Sequence, residues 1–149
     1  MRVEVMTFKE GLLSRVAHDL KLRTEARVDD GVAVIDASAL RVVCAMKKGK
    51  EAPRTLSDKD RRSIEQSMRD DVLHTKRFPE IRFEADEDAG DRVTGTLSLH
   101  GVSKPVTLRF RSGVARIQLD QRDFGITPFT AMMGALKVQP TIEVVIYRS

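Results

Sequence analysis

The sequence predicts a mainly β domain, a closed antiparallel barrel of about eight strands with one amphipathic helix. Two observations carry that prediction. Most of the chain alternates apolar and polar residues with period two, and a single segment switches to helical spacing. At 149 residues the chain is long enough for one sizeable core and short enough to need no second, so residues 1–149 are read as one domain.

The alternation is clearest from His18 to Asp29. One face carries His18, Leu20, Leu22, Thr24, Ala26 and Val28, and the other carries six charged residues, Asp19 through Asp29. Successive side chains of an extended strand point to opposite sides, so this segment has one dry face and one wet face. Further on, Ile81, Phe83 and Ala85 alternate with Arg82, Glu84 and Asp86. Val93, Leu97 and Leu99 share a side, as do Val106, Leu108 and Phe110. Ile117 and Leu119 stand between polar neighbours, and a last strand from about Lys137 to Tyr147 shows Val138, Ile142, Val144 and Ile146 on one side. Turn signals at Asp29-Asp30-Gly31, Asp88-Ala89-Gly90-Asp91, Gly101 and Ser112-Gly113 separate these runs at hairpin spacing. A closed barrel of such strands has no exposed edges and encloses room for side chains or one small ligand.

The exception is Ser57 to Leu73. Ile64, Met68, Val72 and Leu73 recur there at helical spacing among charged neighbours, with Ser57 placed as N-cap and Asp60 three residues later. Phe78-Pro79 ends the segment. The basic stretch from Lys47 to Arg54 ahead of it reads as a solvated loop.

Composition excludes several classes. No apolar run approaches the roughly 20 residues that a membrane-spanning helix requires. Val3-Glu4-Val5 reads as a strand with no basic and apolar leader before it, which leads to the expectation of a cytoplasmic protein. Cys44, the single cysteine, sits among Val42, Val43, Ala45 and Met46 as a small buried hydrophobe. The net charge of +4 is scattered among interleaved acids. Aromatic residues make up 5% with no tryptophan, and no exposed aromatic ladder is visible, so nucleic acid is a poor partner.

Little in the sequence speaks for catalysis. There is no nucleophile elbow and no phosphate-cradling glycine loop, and the three histidines, His18, His74 and His100, lack metal-ligand spacing. The expectation is therefore a non-enzyme without metal or cofactor. His18 heads the dry face of the best strand, where it is either a satisfied rim residue or a hydrogen-bonding partner for a ligand's polar end. Asp123, in Arg122-Asp123-Phe124-Gly125-Ile126, reads as a local backbone partner or a pair with Arg122.

Four segments in chain order resemble the YceI-like proteins. They are Ser14-Arg15-Val16-Ala17-His18-Asp19-Leu20-Lys21-Leu22, then Asp71-Val72-Leu73 through Phe78-Pro79-Glu80-Ile81-Arg82-Phe83, then Gly95 through Val106 with Leu99-His100-Gly101-Val102 at its centre, and Arg122 through Ile126. The resemblance covers essentially the whole chain. It implies a lipocalin-like barrel whose apolar interior binds isoprenoid chains or other long-chain amphiphiles, with roles around stress and isoprenoid handling; many members are periplasmic.

The expected ligand contacts follow. An alkyl or isoprenoid chain would lie among Leu20, Leu22, Phe83, Leu97, Leu99, Leu108 and Phe110, with its polar end near His18 or Arg122. His100 and Phe124 carry over as motif positions, although His100, in the turn-like Leu99-His100-Gly101-Val102, also reads as a structural partner of turn backbone. Phe78, Phe124 and Phe129 would line the mouth, and Met132, in the flexible apolar stretch Ala131 to Ala135, would form a lid or portal. The partner is thus a hydrophobic small molecule, with a homodimer as a further option and no stable membrane insertion. Two rivals stand beside this reading. One is an enzyme acting on a small amphiphile with His18, Asp123 and His100 as acid–base groups. The other is a structural barrel filled by its own side chains that works through protein–protein contact.

Overall fold

A computed structural model describes residues 1–11 and 17–148 of the chain, apart from the side chain of Met132. Ser14, Arg15 and Val16 of the first family-like segment therefore lie outside the described residues. The strands are β1 (Arg2–Thr7), β2 (Lys9–Glu10), β3 (Asp19–Glu25), β4 (Arg27–Asp29), β5 (Val32–Asp36), β6 (Arg41–Lys47) and β7 (Lys50–Ala52). The helix α1 (Asp58–Ser67) follows, and then β8 (Glu80–Asp88), β9 (Arg92–Leu99), β10 (Val102–Arg111) and β11 (Val114–Asp120). The last strands are β12 (Thr130–Ala131), β13 (Leu136–Val138) and β14 (Thr141–Tyr147).

Eleven strands form one curled antiparallel sheet in the order β4-β5-β8-β9-β10-β11-β14-β1-β3-β6-β7, and β12, β13 and β2 form a small second sheet. The mainly β class holds, but the expected closed ladder does not: the end strands β4 and β7 share no hydrogen-bonded ladder. The ladder breaks at Ala26, within the strand expected over His18–Asp29, because the pairing partner changes there. The Ala26 N–H donates to the Met1 carbonyl at 2.8 Å, and its own carbonyl accepts from the N-terminal ammonium at 2.9 Å. Before it, β3 pairs with β1 and β6; after it, β4 pairs with β5 alone. The curl is therefore joined at this point by the continuous chain and not by a ladder. Val28, assigned to the dry face, lies beyond this break and is 55% exposed.

Four hairpins share one turn chemistry. Asp30-Gly31, Lys48-Gly49, His100-Gly101 and Ser112-Gly113 all have positive φ at both residues, the type I′ geometry whose twist matches that of the flanking strands. The basic stretch read as a loop is thus a hairpin, with Lys47 paired to Lys50.

The helix begins as its sequence dictates. The Ser57 side chain accepts from the Asp60 N–H and the Asp60 carboxylate accepts from the Ser57 N–H, a complete capping box. The α-helix stops at Ser67 and continues as a π turn, Met68–Val72. It docks on β6 through Glu65, whose buried carboxylate accepts the Val42 N–H at 2.8 Å, beside the point where the β3–β6 register shifts. Cys44, 2% exposed, is part of the packed wall, and burial raises its thiol pKa; it is a hydrophobe here and not a nucleophile.

Gly95 illustrates how tightly the curl is drawn. A Cβ there would stand 2.3 Å from the Glu84 carbonyl oxygen and 2.7 Å from Phe83 Cζ, next to the β8–β9 register shift. Backbone cannot yield as a side chain does, so Gly95→Ala should lower stability by about 1–3 kcal/mol, read as a lower urea midpoint at unchanged slope.

Candidate functional site

The curled sheet encloses a cavity of about 510 Å³, within the range of small-molecule sites. Among the described residues, side chains leave this space unfilled. Only eight of the 38 lining residues are polar, and most of the wall is Val, Leu, Ile and Phe from the inward faces of the strands. The helical residues Ile64, Met68, Val72 and Leu73 cover one side, so the helical face read from the sequence is the face turned to the cavity.

Strand alternation sets the cavity's chemistry column by column. Along β1 and β2 the lining residues are Met1, Val3, Val5, Thr7 and Lys9. On the neighbouring segment they are Ala26, Thr24, Leu22, Leu20 and His18, with Val3 opposite Thr24, Val5 opposite Leu22 and Thr7 opposite Leu20. On β14 they are Ile146, Val144 and Ile142, and on β11 they are Ile117 and Leu119, followed by Gln121. Each column starts apolar, and three of them end in a polar residue, Lys9, His18 or Gln121. Val93, Ala115 and Phe110 pack together at the apolar end. The cavity is amphipathic along its length.

The structure brings most of the expected contacts together. His18, Leu20, Leu22, Phe83, Leu97, Leu99, Leu108, Phe124 and Phe129 all line the cavity. Four others stand elsewhere. Phe110 lies one step past Leu108 and packs into the apolar end, with the Arg148 guanidinium 5.0 Å from its ring. Arg122 is turned outward, held by Asp120 through contacts of 3.0 and 2.7 Å, so its partner is Asp120 and not Asp123. Phe78 and His100 stack on each other at 4.4 Å outside the cavity wall. The side chain of Met132 lies outside the described residues. Thr7, Lys9 and Gln121 escaped the sequence reading, although continuing period two from Val3 and Val5 leads to Thr7 and Lys9.

Of the three acid–base candidates, His18 alone lines the cavity; Asp123 is exposed, and His100 is committed to a structural cluster. His100 sits at the β9–β10 turn with φ 54°. Its Nδ1 is 3.2 Å from the Phe124 carbonyl oxygen, which can only accept, so Nδ1 carries the proton and donates. Nε2 is then the acceptor for His74 Nδ1–H at 3.1 Å. This chain of bonds ties the segment after the helix to the hairpin tip and to Phe124. Burial foremost, and then the nearby His74 and Arg77, hold the His100 pKa below its usual 6.5 despite the opposing pull of the Phe124 carbonyl. A base with a depressed folded pKa adds stability that is present above its unfolded pKa and is lost as pH falls through the folded one. Urea midpoints measured from about pH 7.5 down to about pH 5.5 should therefore fall in the wild type, and fall less in His100→Asn. Asparagine keeps the left-handed turn accessible.

Comparison with known proteins bears on this architecture directly. The profile of the YceI-like domain matches residues 5–147. The chain belongs to this family. A solved polyisoprenoid binding domain from Saccharophagus degradans, implicated in plant cell wall breakdown, superposes with a TM-score of 0.54 at 14% identity, over 99% of this chain and 94% of that one. At that identity the likeness speaks for a shared fold. A UPF0312 protein of Shewanella denitrificans is 38% identical over a stretch covering 38% of this chain. The matched stretch spans 40% of that relative's length. Among the described residues of this YceI-like chain, no helix is long and apolar enough to cross a membrane, and no group of three or more His, Cys, Asp or Glu is placed to hold a metal ion.

Proposed function

We propose that this YceI-like protein binds an isoprenoid or another long-chain amphiphile inside its curled sheet, to carry or sequester it, and catalyses no reaction on it. The observation that supports this reading most is the unfilled apolar cavity of about 510 Å³. Each methylene moved there from water contributes about 0.8 kcal/mol, so a long chain binds well with few polar contacts. Such binding discriminates weakly between chains, because an apolar wall recognises area and not functional groups. The solved relative described as a polyisoprenoid binding domain points to the same ligand class.

The reading also accounts for the side chains. Leu20, Leu22, Leu97, Leu99, Leu108 and Phe83 would hold the chain, Phe124 and Phe129 would flank its polar half, and His18 would lie beside its polar end. Organic extraction of the purified protein followed by mass spectrometry tests the proposal. It should release a molecule with a long hydrocarbon chain. Protein that yields none, and afterwards takes up no polyprenyl or fatty-acyl probe, would remove the reading.

A further inference from the structure

The cavity's polar end carries more chemistry than holding a hydrocarbon requires. Lys9, His18 and Gln121 end their columns side by side: the Lys9 N–H donates to Asp19 Oδ1 at 2.8 Å, and Gln139 bridges to Gln121. Gln121 Nε2 donates to the Gln139 carbonyl at 3.1 Å, and Gln139 Nε2 donates to the Lys9 carbonyl at 3.1 Å. Lys9 continues the inward parity of Val3, Val5 and Thr7, so its side chain belongs to the cavity wall. Among the described residues its ammonium has no carboxylate within 4.0 Å, whereas Lys21 and Arg23 are each paired. The acids nearest in the fold are engaged or turned away. Asp19 accepts the Lys9 backbone N–H, and Glu10 is exposed, one residue on and of opposite parity. A second cation, Lys137, is exposed at the same rim on β13.

One step deeper, the Thr7 hydroxyl oxygen is buried and has no hydrogen-bond partner among the described residues. A polar atom left so is unfavourable unless something else supplies the bond. Thr7 lies between Val5 and Lys9 on the lining face, where an oxygen carried by a bound molecule would supply it.

We infer that this end of the cavity recognises an anionic headgroup, a carboxylate or a phosphate monoester. The Lys9 ammonium pairs with its charge, and the Thr7 hydroxyl donates to one of its oxygens. The assignment rests on the proposed binding of a long-chain amphiphile and narrows it to acidic ones. A lysine suits this place because its aliphatic stem lies along apolar wall while its charge stays at the rim. Lys137 adds positive potential there, and Asp19 and Glu10 subtract from it.

The test is displacement of a neutral apolar fluorescent probe by three molecules with the same chain: hexadecanoate, hexadecyl phosphate and hexadecanol. At low salt one or both anions should bind about tenfold or more tightly than the alcohol, with the gap narrowing as salt is added. Whichever anion binds better identifies the headgroup as carboxylate or phosphate. Lys9→Met should remove the preference, bringing both anions to the affinity of hexadecanol, while circular dichroism and thermal unfolding show that the variant is folded. Lys9→Arg should retain the preference, and Thr7→Val should lose part of it. Equal binding of all three molecules, or a preference that survives in Lys9→Met, overturns the headgroup assignment alone. Failure of hexadecanol and both anions to bind overturns the amphiphile reading, and this inference with it.

Discussion

Replacing Val5 and Val144 together by phenylalanine should abolish uptake of a long-chain probe while leaving the protein folded and no less stable. The two valines are directly opposite on β1 and β14, and both line the middle of the cavity. Two rings there occupy space that a chain would need and bring no polar atom with them. Excluding even four methylenes removes about 3 kcal/mol of transfer free energy, on the order of a hundredfold in affinity. The effect on the empty protein has the opposite sign, because added carbon fills a void that the wild type leaves open. Probe titration and thermal unfolding of the same sample separate the two effects. Lost binding with a retained or raised melting temperature is expected, whereas loss of both would indicate a core already packed to capacity.

The second large effect is expected at Glu4. It is 2% exposed on the outward parity of β1, between the lining residues Val3 and Val5. Its carboxylate accepts from Arg23 at 2.8 and 3.2 Å and from the Tyr147 hydroxyl at 2.7 Å, joining β3 and β14 across β1. Removing it leaves the Tyr147 hydroxyl and the inner edge of the Arg23 guanidinium without their partner. Arg23 is 42% exposed, so water recovers part of that loss. Glu4→Ala should therefore cost about 2 kcal/mol, roughly 4–8 °C in melting temperature.

The same cluster sets an acid limit. Burial raises the Glu4 pKa, and the Tyr147 and Arg23 hydrogen bonds with the charges of Lys21 and Arg23 outweigh it, so the folded pKa lies below the ordinary 4.5. Its contribution is present above that unfolded value and is lost as pH falls through the folded one. Glu4→Gln should flatten the stability profile in this acid window and leave the histidine window unchanged.

The difference between Glu4 and its neighbours shows where sequence reading succeeds. Period two identified the inward faces of β3, β8, β9, β10, β11 and β14, because only those positions avoid water. Glu4 stands on the outward face of β1 and is nonetheless buried. Arg23 and Tyr147 reach over Glu4 from adjacent strands, and no local pattern records such cover. The capping box at Ser57 and Asp60 was legible because both of its bonds are made within four residues. Its docking through Glu65 depends on Val42 of β6, outside the helix's own sequence.

The open ladder is not legible in the sequence for a related reason. Ala26 suits the dry face of a strand, and period two cannot reveal that the chain changes its pairing partner there, from β1 to β5. The cavity was legible as a greasy interior but not as a space, since counting apolar residues does not show whether they meet. Small residues at inward positions, Gly95 beside Phe83 among them, mark where the wall can curl and rings can lean over. Phe78 stands near a strand end and so suggests a mouth residue, yet it packs on His100, whose bonds to His74 and to the Phe124 carbonyl fasten a hairpin tip to the segment after the helix.

Native mass spectrometry after incubation with a long-chain polyprenol addresses the account most directly. Wild-type protein should gain a single adduct of one polyprenol mass, and Val5→Phe/Val144→Phe protein should gain none. An adduct of equal abundance on both proteins, or several adducts per chain without a preferred number, would place the lipid on the outside of the sheet and contradict an interior site.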